Sequence, residues 1–448
     1  VDTFSVSGDG ERLVVRHRDD TIVVPSSHKV DDDDPAYIRV DLTRLRRTVN
    51  PRAEWRQMFD ENGRLMASHY WREDMNGVDW DSVLNRYRPL VDLCHVVDDL
   101  HDILWETVAE LNTSHSYVSV SGAAGDSDMR AGLLGADVSS GNDGAKVVRV
   151  IPGESSDPRA WSPLRAAGVA VTEGDVIVAV DGRKVGADGN LGELLEGSAG
   201  RVVELTVRRG ENERQVAVVP MADEAPLRYH DWVASRRRYV EEHSGGRLGY
   251  LHVPDMVSDG WAELHRQIGE ATRHEGVIAD VRFNHGGHTS QLVVERLARR
   301  VVGWDYSRWY ATADTYPQNA VRGPIVMVTN QWAGSDGDIV AAATQAMGYA
   351  KVIGERSWGG VVGIDGRFDL VDGTSVTQPR YAGWYGSYGW GVENHGVDPD
   401  IVVTVSPEDW EADRDVQLDA AIAECLRQLD DKPAATAPEL PGPAFGRR

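Results

Sequence analysis

The sequence has few cysteines and no long apolar run. Its two cysteines, Cys94 and Cys425, both lie in helical apolar patterns, so we expect reduced core thiols, which fit the cytoplasmic location that we predict. No stretch approaches the ~18 consecutive apolar residues of a membrane span, and no membrane partner is expected. The chain does not open with a basic segment followed by an apolar one, so no signal peptide is predicted.

Basic charge is also scarce. The chain has 47 basic residues, of which only five are lysine, against 71 acidic residues, and its net charge is −24. This excess of acid opposes binding to nucleic acid and mildly attracts cationic substrates. One pair, His285-x-x-His288, has a spacing that could bind a metal, but no cysteine or clustered carboxylate accompanies it. We therefore predict neither a metal nor a cofactor.

What the sequence does contain suits several soluble domains. Apolar residues make up 41% and charged residues 26% of 448 positions, which is enough for about three domains at ~150 residues each. Residues Val1–Ser27 predict three short strands, about one propeller blade. Because one blade cannot bury its own faces, we expect the chain to be a fragment. The acidic run Asp31–Asp34 is typical of a solvated linker.

The segment from about Leu42 to Leu111 predicts helices at Glu54–Tyr70, at Trp80–Tyr87 and around Leu100–Leu111, although Gly63 weakens the first. The last helix runs into an alternating strand-like stretch, so His115 lies at a helix-to-strand junction. A histidine in such a place is more often structural than catalytic.

Residues from about Gly132 to Met221 predict a β-rich unit. Its stretch Ala167–Gly182, in which a turn, a strand and an Asp-Gly hairpin follow one another, resembles a PDZ domain. Such domains bind extended peptide ends by adding a strand to a sheet edge. The resemblance implies a protein that handles peptides and leaves the chemistry open.

From about His230 the pattern alternates between strands and helices. We predict strands at Leu248–Val253, Val277–Arg282, Ile325–Thr329, Val352–Gly354 and Phe368–Leu370, and helices at Trp261–Arg273, Gln291–Arg300, Asp336–Met347 and Asp415–Leu429. The tail after Asp430, rich in proline and alanine, is expected to be disordered.

One junction in this region suits nucleophilic chemistry. Ser335 falls between strand Ile325–Thr329 and helix Asp336–Met347, which Gly348 closes. A serine there lies beside unpaired N–H groups at the positive end of a helix, where an oxyanion can be stabilised. The alternative is a helix cap, because Asp338 follows three residues later in a variant of the capping box.

Together, a PDZ-like unit, a loop reading Asp-Val-Arg-Phe-Asn-His-Gly-Gly and the Gly-Ser junction resemble the tail-specific and tricorn peptidases. The tail-specific processing proteases use a Ser–Lys dyad, with the lysine in a Gly-Lys-Gly turn after the nucleophile. The matching turn here is Trp358-Gly359-Gly360, and Lys351 lies earlier in the chain. That dyad is therefore not expected.

The tricorn core protease is the better match. Its signatures resemble segments in order along nearly the whole chain: Asp74–Trp80, Leu111–Tyr117, Ala333–Asp338, Trp358–Gly363 and Gly391–Asn394. The resemblance implies a multidomain α/β fold, whose α/β sandwich catalytic domain is related to tail-specific peptidases. Its expected parts are the last strands of a β-propeller (1–27), a mixed helical C1 domain (28–125), a PDZ domain (126–225), a catalytic α/β C2 domain (226–430) and a disordered tail (431–448).

Carried over residue by residue, the resemblance also implies a catalytic tetrad. Ser335 would be the nucleophile and His115 its general base. Ser114 would orient the imidazole, and Glu393 would hydrogen-bond to Ser114. Such a serine needs an adjacent base, and the base needs a third group that fixes its tautomer.

The resemblance further implies an oxyanion hole made of the N–H groups of Gly287 and Asp336. Gly287 suits this role because a residue without Cβ lets the backbone approach the substrate. Asp305, from a neighbouring subunit, would line the primary specificity pocket, and Gly286 would also contact the substrate. The alternative for Asp305 is a solvated acid at a turn.

We therefore expect a cytoplasmic serine peptidase that cuts short peptides after larger ATP-dependent proteases have acted. The family implies a homo-oligomer, a hexamer, and aminopeptidases as possible partners. Two alternatives stay open at this point: a catalytically silent PDZ scaffold that binds peptides, and a Ser–Lys processing protease.

Overall fold

The structure is a computed structural model that describes residues 2–17, 20–46, 48–119, 129–186 and 190–440. Within these ranges no helix is both long and apolar enough to cross a membrane. The two cysteines are free and buried, as predicted.

The chain begins with an antiparallel sheet of four strands, where the sequence predicted three. They are β1 (Thr3–Val6), β2 (Arg12–His17), β3 (Asp20–Pro25) and β4 (Ile38–Val40), paired in chain order. The fourth strand lies beyond the predicted boundary at Ser27, so the acidic run belongs to the β3–β4 connection. Every residue of these four strands is at least partly exposed, which leaves both faces of the sheet without a core.

Three helices form the next unit: α1 (Pro51–His69), α2 (Trp80–Val91) and α3 (Val97–Ala109), followed by the short strand β5 (Val118–Ser119). Gly63, which weakened the sequence prediction, has a packing reason to be glycine. A Cβ there would lie 2.9 Å from Leu84, and the Trp80 indole donates a hydrogen bond of 3.0 Å to the Gly63 carbonyl. The glycine thus lets α1 and α2 approach closely.

The β-rich unit contains β6 (Ala136–Gly141), β7 (Gly144–Val150), β8 (Val176–Val180), β9 (Arg183–Lys184), helix α4 (Leu191–Leu194), β10 (Val203–Arg209) and β11 (Asn212–Val218). Its sheet has the order β11-β10-β8-β7-β6, with β9 paired to β8. The predicted Asp-Gly hairpin joins β8 to β9, and both turn residues, Asp181 and Gly182, have positive φ, as a tight hairpin turn requires.

The C-terminal unit is an α/β domain around a parallel sheet of order β12-β13-β16-β17-β21. Its strands are β12 (Leu248–His252), β13 (Gly276–Asp280), β16 (Ile325–Thr329), β17 (Ala350–Gly354) and β21 (Ile401–Val402). Its helices are α5 (Ala225–His243), α6 (Ser258–Ala271), α7 (Ser290–Leu297), α8 (Asp336–Met347), α9 (Pro407–Glu411) and α10 (Val416–Asp431). Short strands at its periphery are β14 (Gly303–Asp305), β15 (Asp314–Tyr316), β18 (Gly363–Asp365), β19 (Ser375–Val376) and β20 (Gln378–Tyr381).

Helices cover both faces of this parallel sheet. Residues of α6, α7 and α8 share one buried cluster with the sheet, and residues of α5 and α10 share the other. Because the strands are parallel, the loops that follow β12, β13, β16 and β17 all emerge at one edge of the sheet. Any site built from these loops must therefore lie at that edge.

The helical unit and the α/β domain share a core. Val376 of the α/β domain is fully buried in the cluster formed by α1, α2 and α3. Strand β5 pairs with β19, and the Trp71 N–H donates to the Pro379 carbonyl over 2.9 Å. The two units are thus docked by both apolar contacts and backbone hydrogen bonds.

Two C-terminal regions differ from expectation. The predicted strand Phe368–Leu370 is wrong: only Asp369 forms a single bridge, to Ser375. Residues 432–440, for which we predicted disorder, have no regular secondary structure but make contacts, since the Ala435 N–H donates to the Arg322 carbonyl over 2.8 Å. Residues 441–448 lie outside the described part of the chain.

Candidate active site

Ser335 occupies the predicted junction and does not cap the helix. It precedes α8 with φ 58° and ψ −119°, and its side chain makes no capping hydrogen bond. Positive φ is uncommon for a residue other than glycine and marks a backbone conformation held by its surroundings. The side chain is half-buried, and among the described residues none forms a hydrogen bond with its hydroxyl. The capping-box interpretation is therefore wrong.

Two backbone N–H groups beside Ser335 are left without a partner in the part of the chain that the structure describes. Asp336 begins α8, so its N–H has no acceptor within the helix. Gly287 forms a parallel bridge with Met256. In that bridge the hydrogen bonds run through Gly286 and His288, so the N–H of Gly287 itself points away from Met256.

The loop that carries Gly287 fits against Ser335 only with glycines. A Cβ on Gly286 would lie 2.6 Å from the Ser335 Cβ, and one on Gly287 would lie 2.1 Å from the Met256 carbonyl oxygen. Gly286 and Gly287 also have φ of 77° and 146°, in the region that side chains disfavour. The structure thus brings Gly286, Gly287 and Asp336 to the nucleophile candidate.

Asn284, which the sequence analysis did not assign, holds this loop in place. It is fully buried. Its Oδ1 accepts from the Gly286 N–H over 2.9 Å, its Nδ2 donates to the Val253 carbonyl over 2.8 Å, and its own carbonyl accepts from the Gly334 N–H over 3.0 Å. One residue therefore links the loops that follow β12, β13 and β16.

His115 reaches the site from the helical unit. Its backbone has φ 59°, which turns the chain sharply between α3 and β5. The ring lies edge-on to Trp358 and to Tyr117, with ring centroids 5.4 and 5.7 Å apart. Burial lowers the pKa of His115, while the nearby charge of Glu393 acts in the opposite direction. The lowered pKa keeps the imidazole neutral, the form that can act as a base.

Ser114 connects His115 to Glu393. Its Oγ lies 2.8 Å from the His115 Nδ1 and 3.0 Å from the Glu393 Oε2. Because Glu393 accepts the hydroxyl proton, the Ser114 oxygen is free to accept from Nδ1–H of the histidine. This network assigns the proton of the neutral ring to Nδ1 and leaves Nε2 able to take another proton.

Glu393 is held as an acceptor by five donors. The Ser114 N–H, the Ser114 hydroxyl and the Thr113 hydroxyl donate to it over 2.6, 3.0 and 3.3 Å, respectively. The N–H groups of Val361 and Val362 donate to its Oε2 over 2.8 and 3.0 Å. A carboxylate that accepts from this many donors is fixed in position.

Trp358 lies between the two halves of the site. Its N–H donates to the Ala333 carbonyl over 2.9 Å, and its indole is so close to Gly334 that a Cβ there would lie 2.7 Å from the ring. The same indole contacts His115. Among the described residues no hydrogen bond joins His115 to the Ser335 hydroxyl, but His115 and Gly334, which precedes Ser335, both contact Trp358. The sequence had suggested no role for this tryptophan.

The remaining candidates lie elsewhere. Asp305 is exposed at the end of β14, opposite Asp314 of β15, and the structure does not bring it to Ser335. His285 and His288 are exposed, and the described residues include no cluster of histidine, cysteine and acidic side chains that could hold a metal. Lys351 pairs with Asp400 over 3.1 Å.

Comparisons with known proteins agree with the sequence motifs. A model of Peptidase family S41 matches residues 247–403, a model of the Tricorn protease PDZ domain matches residues 132–223, and a model of the Tricorn protease C1 domain matches residues 51–109.

Whole-chain relatives carry the same name. Tricorn protease homolog 1 of Streptomyces coelicolor is 58% identical over 445 residues, covering 98% of this chain and 42% of the relative. Tricorn protease of Thermoplasma acidophilum is 36% identical over 426 residues, covering 95% of this chain and 39% of the relative. A crystal structure of the tricorn protease matches with a TM-score of 0.89 at 34% identity, covering 96% of this chain and 41% of that one.

This chain spans about two fifths of the length of these curated relatives. Along the chain the matches follow one another as the C1 domain, the PDZ domain and the S41 domain. The chain therefore belongs to the tricorn protease family, and its α/β domain belongs to peptidase family S41.

Proposed function

We propose that this chain is a serine peptidase in which Ser335, His115, Ser114 and Glu393 act as a tetrad. The observation that carries the proposal is the Ser114 hydroxyl, which bridges His115 Nδ1 and Glu393 Oε2 over 2.8 and 3.0 Å. This bridge does for the histidine what a third group does in a Ser–His–acid triad, since it fixes the tautomer and orients the ring.

The reaction follows from these groups. As the Ser335 oxygen attacks the peptide carbonyl, its proton passes to His115 Nε2, and the carbonyl oxygen becomes an oxyanion that accepts from the N–H groups of Gly287 and Asp336. When the C–N bond breaks, the histidine returns the proton to the leaving amine. A water then attacks the acyl-enzyme and loses its proton to the same nitrogen. The histidine returns this proton to the Ser335 oxygen as the acid product departs.

We further propose that the substrates are short peptides with Lys or Arg before the cut bond, recognised by Asp305 of a neighbouring subunit. Asp305 is exposed on its hairpin and so is accessible to a second chain. With this we propose a cytoplasmic homo-oligomer that acts after ATP-dependent proteases, with aminopeptidases completing the degradation. The four-stranded sheet β1–β4, which lacks a core of its own, would be the last blade of a β-propeller.

Replacing the nucleophile tests the proposal. We expect Ser335→Ala to lower kcat by ~10⁴-fold or more on a fluorogenic peptide while the melting temperature stays unchanged. The matched control is Ser156→Ala, whose exposed hydroxyl donates to Glu154 and which should keep full activity. A serine-reactive chloromethyl ketone should label Ser335 and His115 in the unmodified protein.

The test also separates the alternatives. If the chain binds peptides but Ser335→Ala changes no rate, it is a peptide-binding scaffold. If Lys351→Ala abolishes cleavage, the chemistry is that of a Ser–Lys protease. A Ser335→Ala variant that stays active but unfolds at a lower temperature would give Ser335 a structural role only.

A further inference from the structure

The loop 357–362 connects a buried carboxylate, Asp338, with a half-buried one, Glu393, and the two belong to different parts of the site. Its first half faces Asp338, which lies one turn into α8 after Ser335. The Ser357 hydroxyl and the Gly359 N–H donate to Asp338 Oδ1, the latter over 2.9 Å, and the Gly360 N–H donates to Oδ2 over 3.3 Å.

The second half of the same loop faces Glu393. The N–H groups of Val361 and Val362 donate to Glu393 Oε2 over 2.8 and 3.0 Å. Four consecutive N–H groups are thus divided between the two acids, with Gly359 and Gly360 on Asp338 and the two valines on Glu393. The two pairs therefore lie on one continuous backbone segment.

The loop also carries Trp358, whose indole lies against Gly334 and against the ring of His115. A side chain at Gly359 would disturb the backbone of loop 357–362, because Gly359 has φ 92° and a Cβ there would lie 2.5 Å from the Gly396 nitrogen. Ser357 in turn accepts from the Val397 N–H over 2.9 Å, so the loop is anchored at both ends.

Asp338 is well suited to holding such a loop. It is fully buried, and no basic side chain pairs with it among the described residues. Burial raises the pKa of Asp338, while its hydrogen bonds from Ser357, Gly359 and Gly360 act in the opposite direction. A buried carboxyl without a cation is costly unless donors surround it, and here every donor comes from the loop or the start of α8.

We propose that Asp338 is a positioning residue that fixes the nucleophile helix to the loop on which both the His115 ring and Glu393 depend. This inference rests on the proposed tetrad. It adds that the geometry of the tetrad is set from the nucleophile side, through loop 357–362, and not only from the helical unit. Asp338 itself touches no substrate.

Removing the carboxylate tests the proposal. We expect Asp338→Ala to lower kcat ~10²-fold, because small displacements of reacting groups cost that much, while KM changes less than about threefold. Asp338→Asn keeps one oxygen for Ser357 and Gly359 and should recover part of kcat. Ser357→Ala removes only one of the donors to Asp338. It serves as the milder variant in case Asp338→Ala does not fold.

The control is Asp415→Asn. Asp415 is also a buried carboxylate of the α/β domain, but it pairs with Arg282 over 2.7 Å at the start of α10. Asp415→Asn should lower the melting temperature and leave the kcat of the folded enzyme unchanged. If Asp338→Ala behaves in the same way, Asp338 is structural and the proposal is overturned.

Combining variants tests the coupling directly. In a Glu393→Gln background, Asp338→Ala should lower kcat much less than it does alone, because both changes damage one unit. Effects that multiply would contradict the proposal.

A measurement without catalysis separates this inference from the proposed function. In protein labelled with carbon-13 histidine, the His115 ring signal, assigned through His115→Ala, should shift in Asp338→Ala and stay in place in Asp415→Asn. An unmoved signal overturns the positioning role, whether or not the chain cleaves peptides. If the His115 signal moves but the chloromethyl ketone does not label Ser335 and Ser335→Ala changes no cleavage rate, the positioning role is supported. Only the proposed peptidase function is then rejected.

Discussion

At the scale of the residue, the burial of His115 predicts how activity depends on pH. Burial lowers the pKa of this histidine from its ordinary value of 6.5, and Glu393 opposes the shift. Since the neutral ring is the proposed base, kcat/KM should stay on its plateau as pH falls and decline only below 6.5, through the lowered pKa. A profile of kcat/KM against pH measures this acid limb.

The same histidine gives a second pH prediction. Glu393→Gln removes the charge that raises the pKa of His115, so the acid limb should move to still lower pH. Because the glutamine would also turn one acceptor into a donor facing N–H groups, kcat should fall, although by less than in Ser335→Ala, and Ser114→Ala should do likewise. An unchanged limb with wild-type kcat would remove Glu393 from the mechanism.

His115 and Ser335 should behave as one unit. We expect His115→Ala to lower kcat nearly as far as Ser335→Ala, and the double variant to be scarcely worse, since each change alone disables the proton transfer. Single and double variants are compared on one fluorogenic peptide. Independent, multiplying effects would mean that the histidine has only a structural role.

Sequence reasoning could find some of these residues and not others. Ser335 was visible because a local signal, a serine between a strand and a helix, marks it. Asn284 and Trp358 gave no such signal, and Asp338 was assigned only to a capping box, because the partners of all three come from loops distant in sequence. Only the folded sheet edge shows that those loops meet.

At the scale of the element, the Gly286-Gly287 loop predicts a steric effect. A Cβ on Gly287 would lie 2.1 Å from the Met256 carbonyl oxygen, so Gly287→Ala must push the loop away and withdraw its N–H from the substrate. We expect kcat to fall ~10²-fold or more, as when an oxyanion donor is lost. Steady-state kinetics with a thermal melt measure both effects.

The matched control is Gly269→Ala in α6, where a Cβ would meet nothing closer than an Asn319 oxygen at 3.8 Å. An alanine inside a helix is favoured over glycine by up to ~1 kcal/mol, so this variant should be as active and at least as stable. If Gly287→Ala were equally benign, its N–H would have no part in catalysis.

The elements that the sequence predicted best are those with strong local patterns. Strand Ile325–Thr329 and helix Asp336–Met347, with Gly348 as its left-handed C-cap, are confirmed at both ends. The prediction failed for Phe368–Leu370, and it did not find β4. The one bridge in the first segment joins Asp369 to Ser375, and β4 pairs with the preceding strand β3. An apolar pattern does not encode which partner a segment pairs with.

At the scale of the whole molecule, the proposed role of Asp305 predicts specificity. A carboxylate in a pocket should favour Lys or Arg before the cut bond at any salt concentration, whereas the net charge of −24 attracts cations only at low salt. We expect Asp305→Asn to reduce the basic-to-apolar ratio of kcat/KM at high salt. Matched fluorogenic peptides measure this ratio.

The control is Asp314→Asn, which changes the residue opposite Asp305 on the same hairpin. Asp314→Asn should lower the basic-to-apolar ratio of kcat/KM at low salt and leave it unchanged at high salt. If Asp305→Asn keeps the wild-type ratio at high salt, Asp305 is a solvated surface acid and the specificity pocket lies elsewhere.

The docking of the helical unit on the α/β domain has a consequence for how such an enzyme comes into being. The proposed base is made early in synthesis, with the helical unit, and the proposed nucleophile only later, with β16 and α8. If these residues act as proposed, neither half can cut a peptide until β5 has paired with β19 and the shared core around Val376 has formed. On the proposed mechanism, a nascent or half-folded chain is harmless to its neighbours, and proteolytic activity requires the two units to have docked.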